Sequence, residues 1–165
     1  MKRLIFVRHA KAETWDGEKN DFDRQLASRG QNDAGIMSTV LLKANLRPDL
    51  IYSSSADRAF QTAQIFAEKL SISPGKVKKK DDLYEDVTTS DILEIISTSM
   101  ESIKTLMIVG HNPWISDVAG TMSDSYDDII PTCGVVVLDF KVDYWDEVLP
   151  GNGSLKLDDY PKNYR

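Results

Sequence analysis

The chain has 165 residues, 41% of them hydrophobic and 28% charged, which suits one domain with a proper core and leaves no room for a disordered or fibrous reading. Its net charge of -6 argues against a general nucleic-acid surface, so any basic site must be local. A single cysteine, Cys133, excludes an intrachain disulfide, and with only two histidines no zinc-type Cys/His cluster can be assembled.

No apolar run approaches the ~20 residues needed to span a bilayer, and the N-terminal one is too short for the core of a signal peptide. The expectation is a cytoplasmic protein with no membrane association. No repeat, low-complexity segment or linker divides the sequence, so residues 1–165 are expected to form a single domain.

Leu4-Ile5-Phe6-Val7 reads as a strand buried on both faces, ending abruptly at Arg8-His9. Ligands of open α/β sheets bind beyond the carboxyl ends of strands, so Arg8 and His9 either face an anion or merely open a solvated loop. A polar stretch to Leu26 follows as a long loop. Ser28 and Gln31 suggest a capping box, with Ala34, Met37, Val40, Leu41 and Ala44 on one helical face and Pro48 as the stop.

Leu50-Ile51-Tyr52 predicts the second strand, and Ser55 the N-cap of a helix buried through Ala59, Ala63, Phe66, Ala67 and Leu70. Arg58 then falls in the first turn, where the helix dipole is already positive. The mismatch costs roughly 0.3–1 kcal/mol, and a bound anion would remove it. A solvated, outward-bent arginine is the alternative. Val77 begins a short strand crowded by Lys76, Lys78, Lys79 and Lys80, the usual protection of a sheet edge, with Asp81 and Asp82 expected to neutralise much of that charge. Thr88-Thr89-Ser90 caps a short helix with Ile92, Ile95 and Ile96 inward.

Thr105-Leu106-Met107-Ile108-Val109 is the clearest central strand, ending in Gly110-His111-Asn112-Pro113. Asn112 is expected as N-cap and Pro113 at the first helical position, with Ile115, Val118 and Ala119 buried and the helix ending near Gly120. A polar surface loop is expected over Ser123–Asp128. Gly134–Phe140 predicts another strand, paired as an edge hairpin with Trp145–Leu149, and the tail from Pro150 should lie on the surface. Cys133 reads as packing; Lys11, Trp15 and Trp114 are weaker candidates for the surroundings of a site.

Three strand ends thus supply Arg8, His9, Arg58 and His111, the composition of a phosphate site. Guanidinium groups grip tetrahedral oxyanions in bidentate fashion, and one imidazole can attack phosphorus while another hydrogen-bonds a phosphoryl oxygen. Three segments carry a resemblance: Leu4-Ile5-Phe6-Val7-Arg8-His9-Ala10, Ser53-Ser54-Ser55-Ala56-Asp57-Arg58-Ala59-Phe60-Gln61-Thr62-Ala63, and Val109-Gly110-His111-Asn112-Pro113. In order and spacing the chain resembles the histidine phosphatase superfamily, the phosphoglycerate-mutase-like proteins. Its shortness, Arg8-His9-Ala10-Lys11-Ala12-Glu13 and Leu83-Tyr84-Glu85 are most similar to the SixA-type phosphohistidine phosphatases.

The resemblance implies an α/β three-layer sandwich, a mostly parallel central sheet with helices on both faces. It implies a phosphatase in which His9 is the nucleophile, Arg8, Arg58 and His111 hold the phosphate, and Glu85 stands where larger members place a proton donor. Ala10 departs from the glycine common at that position. No metal or other cofactor is implied, because arginines supply the neutralising charge. The substrate is expected to be a phosphorylated protein carrying phosphohistidine; a small-molecule phosphomonoesterase and a non-catalytic phospholigand-binding module are the alternatives. A mutase fits less well, since the resembling mutases are longer. The oligomeric state is left open.

Overall fold

A computed structural model describes all residues 1–165. Six strands form one sheet: β1 (Lys2–Arg8), β2 (Leu50–Ser54), β3 (Val77–Lys80), β4 (Thr105–Gly110), β5 (Val135–Phe140) and β6 (Ser154–Asp159), in the order β3-β2-β4-β1-β5-β6. The first four run parallel to one another, while β5 pairs antiparallel with β1, and β6 antiparallel with β5. The intervening helices are α1 (Ser28–Lys43), α2 (Asp57–Lys69), α3 (Thr89–Ser97) and α4 (Trp114–Met122).

Strand periodicity divides the core. Leu4, Phe6, Leu106, Ile108, Val136 and Leu138 pack with Ile92 and Ile96 of α3 and Ile115, Val118 and Ala119 of α4. Their neighbours Ile5, Val7, Met107, Val109, Val135 and Val137 pack on the other face with Ala34, Met37 and Leu41 of α1 and Ala59, Ala63 and Phe66 of α2. Alternate side chains of a strand point to opposite faces, so unbroken apolar strands give two cores, one on each face of the sheet. The α/β architecture with a mostly parallel sheet is therefore present. Edge strand β3 carries the lysines, but Lys79 and Lys80 lie over the rings of Phe60 and Tyr52 rather than against Asp81 or Asp82.

The helix starts differ from the sequence reading at three places. Ala27, not Ser28, occupies the N-cap of α1. The cause is tertiary: Ala12 bridges Leu26, and the Ala27 N–H donates to the Lys11 carbonyl at 3.0 Å, which sets the chain's entry into the helix. Ala56 takes the N-cap of α2 instead of Ser55, whose hydroxyl donates to Asp81. Pro113 is the N-cap of α4, and the Asn112 amide reaches across to the Ile130 carbonyl at 2.9 Å. Thr88 does cap α3, with the full reciprocal box to Asp91. Helix α1 ends through Asn45 in the left-handed region (φ 58°), three residues before Pro48, and leaves Ala44 exposed.

The C-terminal third needs the largest correction. Trp145–Glu147 is a short 3₁₀ turn, not the return strand of a hairpin. Trp145 is buried, its indole N–H donates to the Ile103 carbonyl at 2.8 Å, and the Lys2 ammonium sits over its ring. The partner of β5 is β6, within the tail that read as turns. Its Leu155 is exposed and its Leu157 half-buried, with polar residues between and around them, so its apolar signal is thin.

Candidate active site

The register of the sheet levels the strand ends. Arg8 lies opposite Gly110, and the His9 N–H donates to the Gly110 carbonyl at 3.0 Å. His9 and His111 thus leave adjacent parallel strands side by side, and their ring centroids stand 5.1 Å apart. Strand β2 ends beside them at Ser54, whose Oγ is 2.7 Å from His111 Nε2. Arg58 arrives from the first turn of α2 and is buried. The loop after β1 is tied to that turn: the Ala10 N–H donates to Thr62 Oγ1 at 3.0 Å, and the Thr62 hydroxyl donates to the Arg58 carbonyl at 2.7 Å. The four residues picked from three distant segments are brought together.

Hydrogen bonding fixes the chemistry of the His9 ring. Nδ1 is 2.8 Å from the Ala10 carbonyl. A carbonyl only accepts, so Nδ1 carries the proton and Nε2 keeps the lone pair. Burial, and after it the Arg58 and Arg8 charges, lower the His9 pKa to about 4. Burial, followed by His9 and Arg58, lowers that of His111 to about 3. Both rings are neutral at pH 7, the state a nitrogen nucleophile requires.

Four buried nitrogens around this site lack a protein partner: Arg8 Nε, Arg58 Nε and His111 Nδ1, and Trp114 Nε1 on the crevice wall. Buried polar groups are nearly always paired, so the cationic or neutral donors on Arg8, Arg58 and His111, from three different elements, are groups that a bound anion could satisfy. Each guanidinium is also anchored through other nitrogens. Arg8 Nη1 donates to the Ile130 carbonyl at 3.2 Å, and Arg58 Nη1 and Nη2 donate to the backbone oxygen and carboxylate of Asp21 at 2.7 and 2.9 Å.

In front lies a crevice of about 620 Å³, lined among others by Asp21, Arg58, Tyr84, Glu85, His111 and Trp114. Glu85 is exposed on its wall, with no hydrogen bond or ion pair. Trp114 is buried at the wall, whereas Trp15 is exposed elsewhere and donates to the Lys19 carbonyl. Lys11 faces a separate cleft with Arg29 and Asp33, so it adds nothing to this crevice. Cys133 is buried with its N–H on the His9 carbonyl, a packing position; burial raises its thiol pKa.

Three participants were not legible in the sequence. Ser54 was one serine among three, and only β2 running two residues further than predicted brings it to His111. Tyr84 stood beside Glu85 without a separate role. Asp21 was one charge in a polar loop; here its carboxylate accepts from Arg58, from the Tyr84 hydroxyl at 2.8 Å and from Arg24 at 2.8 Å.

Comparison with known proteins identifies the family. The profile of the histidine phosphatase superfamily (branch 1) matches residues 4–89. An uncharacterised protein of Mycobacterium tuberculosis is 32% identical over 160 residues, covering 90% of this chain and 96% of that one. A structure from Agrobacterium tumefaciens, described as the phosphohistidine phosphatase SixA, is 31% identical with a TM-score of 0.74, covering 84% of this chain and 90% of that one. The protein histidine phosphatase SixA in complex with tungstate shares the fold at a TM-score of 0.84 and 16% identity, over 99% of both chains. The chain therefore belongs to the histidine phosphatase superfamily and, within it, to the SixA-type branch of phosphatases.

Proposed function

We propose that this phosphatase removes phosphate through a covalent phosphohistidine formed on His9, and that its substrate is a protein phosphohistidine. The observation that carries this reading is the trio of buried, partnerless nitrogens on Arg8, Arg58 and His111 beside a His9 ring whose Nε2 keeps its lone pair. The guanidinium edges grip the phosphoryl oxygens. His111 donates from Nδ1 in the tautomer whose Nε2 accepts the Ser54 hydroxyl. His9 Nε2 attacks phosphorus in line, the leaving group departs from the opposite side, and water then hydrolyses the phosphohistidine. Most of the barrier lowering falls to positioning and to fixed positive charge around the equatorial oxygens.

The chain is short and the crevice open, which suits a substrate presented on a protein surface. The phosphohistidine phosphatases among its structural relatives support the same choice. A small-molecule phosphomonoesterase is the second reading, favoured by Glu85, a carboxyl on the crevice wall able to protonate an alkoxide.

Two measurements test the proposal. His9→Ala should lower hydrolysis of an aryl phosphate by roughly 10³-fold or more, as removal of a nucleophile does. The unaltered enzyme, quenched during turnover, should carry an acid-labile phosphoryl group that His9→Ala lacks; near-normal turnover by the variant would remove His9 as nucleophile. Rates on a phosphohistidine peptide against sugar phosphates decide between the two substrate classes.

A further inference from the structure

Among the charged groups of the crevice that the proposed mechanism leaves without a task, Asp21 is the one in contact with Arg58. Asp21 comes from the long loop after β1, lies directly on Arg58 and beside Tyr84, and lines the same crevice as Glu85 and His111. A structural ion pair would account for one contact. Asp21 instead accepts from two arginines and a tyrosine, while about half of its side chain remains open to the crevice. Burial opposes its ionisation, yet Tyr84, Arg58 and Arg24 outweigh that and hold its pKa at about 2. It is a fixed anion touching the guanidinium that binds the phosphoryl group, and it has no proton to give.

A fixed negative charge there is a handicap for a phosphate ester, because the departing oxygen gains negative charge as the P–O bond breaks. For a phosphoramidate of imidazole it is an advantage. In the protonated ring of a phosphohistidine, the nitrogen remote from phosphorus carries an N–H and the ring is positive. When His9 Nε2 donates its lone pair to phosphorus, the P–N bond breaks, its electron pair returns to the departing nitrogen, and the ring leaves as neutral imidazole with its remote N–H intact. No acid is needed at the departing atom. What helps is an acceptor that keeps the ring protonated until the bond breaks, and a carboxylate is the strongest such acceptor available to a protein.

We propose that Asp21 is the specificity-determining residue of this site, accepting the remote N–H of the substrate imidazole so that P–N cleavage is favoured over P–O cleavage. This rests on the phosphatase reading given above and names the group that selects among its substrates. Tyr84 and Arg24 fix the carboxylate in place, and Arg58 sets its position relative to phosphorus.

The test measures kcat/KM of the wild type, Asp21→Asn and Asp21→Glu on an N-phosphohistidine peptide and on p-nitrophenyl phosphate. Asp21→Asn keeps the shape and removes the charge. It should lower kcat/KM on the peptide about tenfold, the worth of one charge-assisted hydrogen bond, and raise it on the ester. Asp21→Glu should restore much of the preference for the peptide. Opposite signs on the two substrates are what a merely structural carboxylate would not produce. Equal losses on both, or an Asp21→Glu variant that stays as unselective as Asp21→Asn, overturn the proposal. A wild type inert on both substrates would overturn the phosphatase reading, and this one with it.

Discussion

His9 and His111 both sit in a buried, cationic neighbourhood, and that has a measurable pH signature. An unperturbed imidazole would be half protonated near pH 6.5. With the His9 pKa at about 4, its ring stays neutral well below that, as the proposed nucleophile must. The acid limb of kcat/KM is therefore expected near pH 4, with activity retained at pH 5; a half-maximum near 6.5 would contradict the burial argument. Stability carries the same sign. Both folded-state pKa values lie below the unfolded value, so the unfolded chain binds more protons as the pH falls. The stability these neutral rings contribute is complete above pH 6.5 and is lost progressively toward pH 4 and 3. Glu85 makes a second residue-level test. Unlike Asp21 it has no arginine partner, and it is the crevice carboxyl proposed above to protonate an alkoxide. Glu85→Gln should cost alkyl phosphates ~10²-fold and phosphohistidine only a few-fold. Equal losses would mean that both leaving groups need the acid.

The elements position these side chains through backbone contacts that a substitution can break. Gly30, in the first turn of α1, lies against the Lys11 carbonyl; a Cβ there would stand 2.1 Å from that oxygen. Backbone cannot step aside as a flexible side chain can, and Lys11 is two residues beyond His9. Gly30→Ala should therefore cost about 1–3 kcal/mol and lower phosphatase turnover together with the melting temperature. A melt unchanged from wild type would show that the helix can shift without cost. The same contact explains the misread start of α1. Ser28-Arg29-Gly30-Gln31 has the residues of a capping box, but the backbone of Lys11 and Ala27 had already fixed where the helix begins. At α3, where no such neighbour intrudes, Thr88 of the expected cap cluster does cap the helix, and Asp91 closes a reciprocal box with it.

At the scale of the whole molecule, the sheet is closed on one side by segments whose sequence gives little warning. Trp145 plugs the end of the core under α3 and is held by the Ile103 carbonyl and the Lys2 ammonium. Trp145→Ala should destabilise the fold by about 3–5 kcal/mol, as aromatic truncations in a core do, read as a shifted urea midpoint. An exposed hairpin residue would lose far less. No helix is long and apolar enough to cross a membrane.

The sequence by itself determined the buried strands β1, β2, β4 and β5, the inward faces of α2, α3 and α4, and the catalytic candidates Arg8, His9, Arg58 and His111. These are written in local periodicity and in charge placed abruptly at strand ends, signals that survive in one dimension. Only the tertiary structure decided that β6 rather than Trp145–Leu149 borders β5, that Ser54 reaches His111, and that Asp21 crosses from its loop to Arg58. Each of those depends on two segments far apart in the chain meeting at a particular register. Thinly apolar or uniformly polar stretches carry no periodic mark of which partner they will meet.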